Sequence, residues 1–282
     1  PRVVLIPGLG LITSGPDAMG ADVSRQLYMR AIQVMKAASS LGGFVSLSAA
    51  ESYAIEYWPL ELYKLSLKPA PKALEGHVVL VTGAASGIGR AIAARLSADG
   101  AHIVIADLNA DGGQRVAGEL ITLRGYRRAT SVGMNVTEEA QVVGAYSCAV
   151  LAYGGVDIAV NNAGVQHRTP LEDFPAADFE RLLHANISSV FHVGQAVARH
   201  MIARGAGKIV NIASLQSSRA FADSAPYGAS KGGVVQLTRA IAEHWSRFGI
   251  TCNAIAPGFF PTPLAAPVFS DPERVSRLAA QT

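Results

Sequence analysis

Charge is what this chain has least of. Only 16% of its 282 residues are Asp, Glu, Lys or Arg and half are hydrophobic, against about 25% charged in an average soluble protein. That balance excludes intrinsic disorder and provides for a large core. Lys and Arg number 24 against 21 Asp and Glu, and the basic residues are scattered, so no nucleic-acid-binding stripe is present and nucleic acid is not an expected partner. Cysteine is equally scarce. Cys148 and Cys252 cannot frame a disulfide-stapled fold, and neither CxxC nor a Cys/His metal spacing occurs, so no metal site is expected and the cytoplasm is the expected compartment. Long apolar runs are missing too. The longest charge-free stretch, Phe248 to Ser270, is broken by Pro257, Pro261, Pro263 and Pro267, and Ala140 to Val156 is too short to cross a bilayer. The chain opens on Pro1 with no visible export signal and is expected to be a piece of something longer.

What is present, from about residue 76 onward, is alternation of strands and helices. Val78 to Val81, Ile103 to Ala106, Ile158 to Val160 and Lys208 to Ile212 are short, nearly continuous apolar runs, the pattern of central parallel strands. Between two of them, Phe179, Leu182, Leu183, Ile187, Val190, Phe191 and Val197 fall on one helical face. Repeated this way, the pattern predicts right-handed βαβ units. The front of the chain differs. Arg2 to Gly8 is predicted as one strand, followed by a helix near Ala21 to Ala38 and another near Ala49 to Leu65; Pro69 and Pro71 then mark a linker.

Two stretches carry chemistry. Thr82 to Gly89, TGAASGIG, follows a strand and opens a helix. Glycines there permit positive φ and close backbone approach to a pyrophosphate at the positive end of the helix. Asp107, at the end of the next strand, is placed to accept hydrogen bonds from an adenosine ribose and to repel a 2′-phosphate, which favours NAD over NADP; Ser86 stands where an NADP site would gain from Arg or Lys. The second stretch pairs Tyr227 with Lys231 on one helical face, where an ammonium lowers a phenol's pKa and makes a general base. Ser214, at the carboxyl end of a strand, is placed to orient a substrate oxygen. A competing motif overlaps this one: Gly228 to Gly232 also fits the G-x-S-x-G elbow of serine hydrolases. The one histidine after Ser230 is His244 on the same predicted helix, roughly 21 Å along at 1.5 Å per residue, which disfavours that reading.

TGAASGIG, Asn161-Asn162-Ala163-Gly164, Ser214, Tyr227 with Lys231, and Pro257-Gly258, in this order, resemble the short-chain dehydrogenase/reductase family over residues 74–282. The resemblance implies a Rossmann-type doubly wound parallel sheet flanked by helices, preceded by an α/β extension over residues 1–73. It implies Tyr227 as acid/base, Lys231 as its partner and nicotinamide-ribose ligand, Ser214 as stabiliser of the substrate oxygen, and Asn186 as support for a proton-relay water. For the dinucleotide it implies Gly83, Ser86, Gly87, Ile88, Gly89 and Asp107, then Asn135 and Val136 at the adenine. Asn161, Ala163 and Gly164 close the adenine side, and Pro257, Gly258 and Thr262 contact the nicotinamide. Position 135 is more often Asp in the family. The implied partner is a small alcohol or carbonyl compound, with no membrane contact and self-association into a dimer or tetramer. Family members continue into a further helix and a seventh strand, whereas this chain stops at Ala279 to Thr282, so the last strand and part of the association surface are expected to be missing. An inactive dinucleotide-binding fragment is therefore an alternative reading.

Substrate contacts are expected from the loops after the later strands, in particular Arg168, Gln216 and Phe259; Arg168 suits a carboxylate or polyol. The stretches NNAGVQHR, PYGASKGGV and APGFFPT are most similar to gluconate 5-dehydrogenase-type members. PRVVLIPGLG and EYWPLELYKL resemble instead the connecting region of bifunctional proteins that join a rhamnulose-1-phosphate aldolase to a short-chain dehydrogenase oxidising lactaldehyde. The two resemblances imply different substrates, and both stay open at this point.

Overall fold

The computed structural model describes residues 2–67, 69–125, 127–270, 273, 275 and 276. The expectation attached to the chain end, Ala279 to Thr282, lies outside these residues. The chain divides into two compact units, Pro1–Glu75 and Gly76–Thr282.

The first unit holds β1 (Val3–Ile6), β2 (Gly10–Thr13), α1 (Ala18–Ser40), α2 (Ala49–Glu56) and α3 (Pro59–Ser66). Two expectations are corrected here. The single strand is an antiparallel hairpin, because Gly8 and Gly10 take φ of +76° and +124° and turn the chain back so that Val3 faces Thr13. The single helix near Ala49 to Leu65 is two, because Pro59 starts a new helix after Trp58; α2 itself begins at a reciprocal Ser48–Glu51 capping box. Among the described residues of this unit Asp22 alone is buried, its carboxylate accepting from Arg25 at 3.0 Å and Gln26 at 2.6 Å.

The second unit runs β3 (Val78–Thr82), α4 (Gly87–Ala98), β4 (His102–Asp107), α5 (Ala110–Arg124), β5 (Ala129–Gly133), α6 (Glu139–Tyr153), β6 (Ile158–Asn161), α7 (Ala176–Leu183), α8 (Ser189–Arg204), β7 (Gly207–Ile212), α9 (Ala225–Trp245), β8 (Ile250–Ile255) and α10 (Ala266–Phe269). Its strands form one parallel sheet in the order β5-β4-β3-β6-β7-β8. From β3 the chain steps outward through β4 and β5, crosses back to β6 on the other side of β3, and steps outward again. The reversal between β3 and β6 is the switch point at which open parallel sheets bind ligands, beyond the carboxyl ends of the strands. Every residue of β3 is buried, and in β4 every residue before Asp107, which is why both read as unbroken apolar runs. Leu80, Val104, Ile209 and Ile250 of the sheet pack with Val142 of α6, Val193, Val197 and Met201 of α8 and Ile241 of α9; each such buried side chain contributes about 1.5–3 kcal/mol. The helix predicted across Phe179 to Val197 is interrupted by a π-helical turn, His184–Ser188, with Asn186 at its centre.

Candidate active site

The carboxyl ends of the strands open onto a cavity of ≈ 460 Å³. One end is made of backbone. Gly83 has φ +64°, and a Cβ there would stand 2.9 Å from the Cα of Ala163; Gly87 has φ +53°. A side chain on Gly89 would run into the Gly83 carbonyl, so the first turn of α4 lies directly on the loop. Ser86, the residue before α4, makes no side-chain cap bond, and no acidic residue occupies the first turn, which leaves the orphan N–H groups of that turn for an anion. Asp107 is pinned beside them: one carboxylate oxygen accepts from the Ala85 N–H and the other from the Asn109 N–H, both at 2.8 Å. Ser86, Ile88, Asp107, Asn135, Val136, Ala163, Gly164, Pro257, Gly258 and Thr262 all line the cavity. Thr262 closes over the loop, with its Cβ 3.4 Å from where a Cβ of Gly87 would stand.

Not every expected residue reaches the cavity wall. Gly89 packs beneath it. Asn161 is turned into the sheet, donating to Asn211 Oδ1 at 2.8 Å; Asn211 donates in turn to Thr238. The lining residue is its neighbour Asn162, whose amide donates to the carbonyls of Thr82 and Gly83 at 3.0 Å and fastens β6 to the glycine loop. Alternation along a strand puts successive residues on opposite faces, so Asn161 and Asn162 point to opposite sides of the sheet end. Asn186 is fully buried behind the cavity: Oδ1 accepts from the Val165 N–H at 2.8 Å, and Nδ2 donates to the Val165 carbonyl and to Ser230 Oγ, each at 3.0 Å.

The other end is made of side chains. Tyr227, in the first turn of α9, Lys231 one turn on and Ser214 after β7 all line the cavity, with Arg168 and Gln216. Phe259 lines it too and meets the ring of Phe221 edge-on at 5.7 Å. Burial raises the Tyr227 phenol above its ordinary value, while a hydrogen bond from Ser214 and the charge of Arg168 draw it back. Lys231 is buried, its Nζ donating to the Ile212 carbonyl at 2.7 Å and standing 5.8 Å from the centre of the Tyr227 ring; burial pushes it down to about 8. Lys231 thus stands one turn from Tyr227, as the spacing predicts, with its ammonium held by the Ile212 carbonyl. The hydrolase reading falls on geometry. Ser230 is fully buried inside α9, donating to the Tyr227 carbonyl at 2.7 Å and accepting from Asn186.

Among the described residues there is no group of three His, Cys, Asp or Glu that could hold a metal ion, and no helix is long and apolar enough to cross a membrane. The glycine cradle, the uncapped start of α4 and the pinned carboxylate fit a dinucleotide, and the phenol, ammonium and hydroxyl sit at the far end of the same cavity. Fold and site together define an oxidoreductase that uses a nicotinamide cofactor.

The comparisons with known proteins carry this further: the chain belongs to the short chain dehydrogenase family, which matches residues 77–273. Residues 1–65 match a different family, the second domain of class II aldolases. The gluconate 5-dehydrogenase of Gluconobacter oxydans is 41% identical over 74% of this chain and 81% of its own length. An uncharacterized oxidoreductase of Bacillus subtilis, YuxG, is 41% identical over 91% of this chain, and the chain spans only 37% of that relative's length. A solved gluconate 5-dehydrogenase from Burkholderia cenocepacia, in complex with NADP and tartrate, is 42% identical with a TM-score of 0.71 over 74% of this chain and 81% of its own.

Proposed function

We propose that this protein oxidises a secondary alcohol of a sugar acid or polyol, or reduces the matching carbonyl, with NAD as its preferred dinucleotide. The observation that carries the reading is Arg168: a guanidinium on the wall of the catalytic cavity, near enough for its charge to act on Tyr227 and suited to a substrate carboxylate. Relatives named for gluconate, 5-keto-D-gluconate and D-threitol support it. A dinucleotide held by its pyrophosphate at the glycine cradle would supply hydride acceptance or donation at its nicotinamide. The chain's own groups do the rest. Ser214 holds the substrate oxygen and Tyr227 takes its proton in oxidation or returns it in reduction. Lys231, titrating at about 8, carries charge beside the phenol, and Asn186 fixes the Val165 loop and Ser230 behind it.

NAD preference is supported by the Asp107 carboxylate, which opposes a 2′-phosphate. Free Cys148 and Cys252 fit a reducing, cytoplasmic compartment, and Phe191 on α8 with Val143 and Leu151 on α6, all exposed, fit a surface for self-association. We assign dehydrogenase chemistry to residues 74–282 and a connecting role to residues 1–73. Because residues 1–65 match an aldolase domain, a small hydroxy-aldehyde is the second substrate class to assay. In a panel of sugar acids, polyols and hydroxy-aldehydes with each dinucleotide, we expect the highest kcat/KM with a sugar acid or polyol and NAD. Arg168→Ala is expected to raise KM for the acid by about 10-fold, the scale of one lost charged hydrogen bond. An unchanged KM for the acid sinks the assignment, and dinucleotide binding without turnover of any panel member marks a binding fragment.

A further inference from the structure

Gln216 sits in the short turn after β7, and its backbone touches both catalytic residues' neighbourhoods. Its N–H is donated to Ser214 Oγ at 3.1 Å, and its carbonyl oxygen lies 3.3 Å from where a Cβ of Gly228, next to Tyr227, would stand. The residue lines the cavity although it is only 7% exposed. Inside the protein one end of its amide is used: Oε1 accepts from Ser224 Oγ at 2.8 Å. Ser224, 1% exposed and the residue before α9, has a single hydroxyl hydrogen; its other contact, the Phe221 carbonyl, is longer at 3.2 Å. With the oxygen end of the amide tied to Ser224, no protein acceptor among the described residues meets the NH2 end of this cavity-lining residue. An amide held this way has two donors that only a ligand or water satisfies.

We propose that Gln216, oriented by Ser224, is a specificity-determining residue that donates to a second oxygen of the substrate, beyond the one handled by Ser214 and Tyr227. It thereby selects polyhydroxylated substrates over simple secondary alcohols. The inference rests on the sugar-acid or polyol reading above. Ser224 acts through Gln216 and is a positioning residue; Gln216 is the contact. A hydrogen-bonding site rejects an analogue that leaves its buried polar group unpaired, which gives the pair its selectivity.

The test compares kcat and KM for gluconate and for cyclohexanol, a secondary alcohol with no second oxygen, in the wild type and in Gln216→Met, Gln216→Glu and Ser224→Ala. Fluorescence titration with NADH checks that each variant is folded. Gln216→Met is expected to raise KM for gluconate about 10-fold more than for cyclohexanol, the scale of one unmade hydrogen bond. Ser224→Ala is expected to give a smaller selective rise in KM with little change in kcat. Gln216→Glu keeps the Ser224 bond but turns an acceptor and a negative charge to the cavity, so it is expected to be the poorest with gluconate. Equal changes for the two substrates, or a Gln216→Glu variant as good as the wild type, overturns the inference and leaves the proposed function standing. A wild type that binds dinucleotide yet oxidises neither gluconate nor any polyol overturns both.

Discussion

The two ends of the catalytic cavity are built from different material. The dinucleotide end is backbone: the reversed φ angles of Gly83 and Gly87, the close packing of Gly89, the uncapped first turn of α4. The substrate end is side chains on the loops after β6, β7 and β8: Arg168, Ser214, Gln216, Phe259, and Tyr227 and Lys231 at the start of α9. Backbone can be replaced by no other residue type without moving the chain, whereas side chains can be exchanged one at a time. The first end is therefore fixed to what every dinucleotide shares, and the second is free to set chemistry and specificity. The largest effect that tests this division is expected from Tyr227→Phe. Removing the proposed acid/base group should lower kcat by about 10³-fold, within the range such catalysis supplies, while the dinucleotide Kd from fluorescence titration stays near the wild-type value. A variant that keeps its turnover, or one that loses dinucleotide binding in parallel, breaks the division.

Legibility follows the same line. The glycine loop and the Tyr-Lys pair were readable because each requires particular residue types at particular intervals. β3 and β4 were readable because strands buried on both faces are apolar throughout. β5, Ala129–Gly133, escaped: it is an edge strand of the sheet, half-buried, and its Ala-Thr-Ser-Val-Gly sequence has no apolar run. The π-helical turn at His184–Ser188 escaped because Leu183, Ile187, Val190 and Phe191 keep ordinary helical spacing straight through it. The acceptor of the Lys231 ammonium escaped for another reason: spacing along α9 puts Tyr227 and Lys231 on one face, but the Ile212 carbonyl that holds the ammonium comes from β7.

Lys231 gives the next largest effect, and one that belongs to the side-chain end alone. Its pKa falls from 10.5 to about 8 on burial. At pH below 8 both folded and unfolded states carry the proton, and burying the charge costs about 3 kcal/mol at 1.36 kcal/mol per pKa unit. As pH rises from 8 toward 10.5 the folded state gives up its proton first, so this contribution raises the unfolding free energy across that window. Urea unfolding of the dinucleotide-free enzyme, compared with Lys231→Met between pH 7 and 10, should show the difference between the two moving in favour of the wild type as pH rises. A difference independent of pH means that Lys231 titrates as an ordinary surface lysine.

The smallest effect on the list comes from the backbone end, and it sharpens the comparison most. Gly83→Ala places a Cβ at φ +64° and 2.9 Å from the Cα of Ala163, so the cost has two parts, left-handed backbone strain and an unyielding neighbour. Together these amount to about 2 kcal/mol, read as a fall in the unfolding free energy. Ala163 belongs to the loop that Asn162 ties to the Thr82 and Gly83 carbonyls, so relief by shifting the loop would distort the wall that receives the dinucleotide. The expected signature is a dinucleotide Kd that weakens by more than kcat falls at saturating dinucleotide, because Tyr227, Ser214 and Lys231 stand on other elements. Should kcat collapse while the Kd holds, the glycine loop would have to act on the reacting end, and the separation of the two ends would be lost.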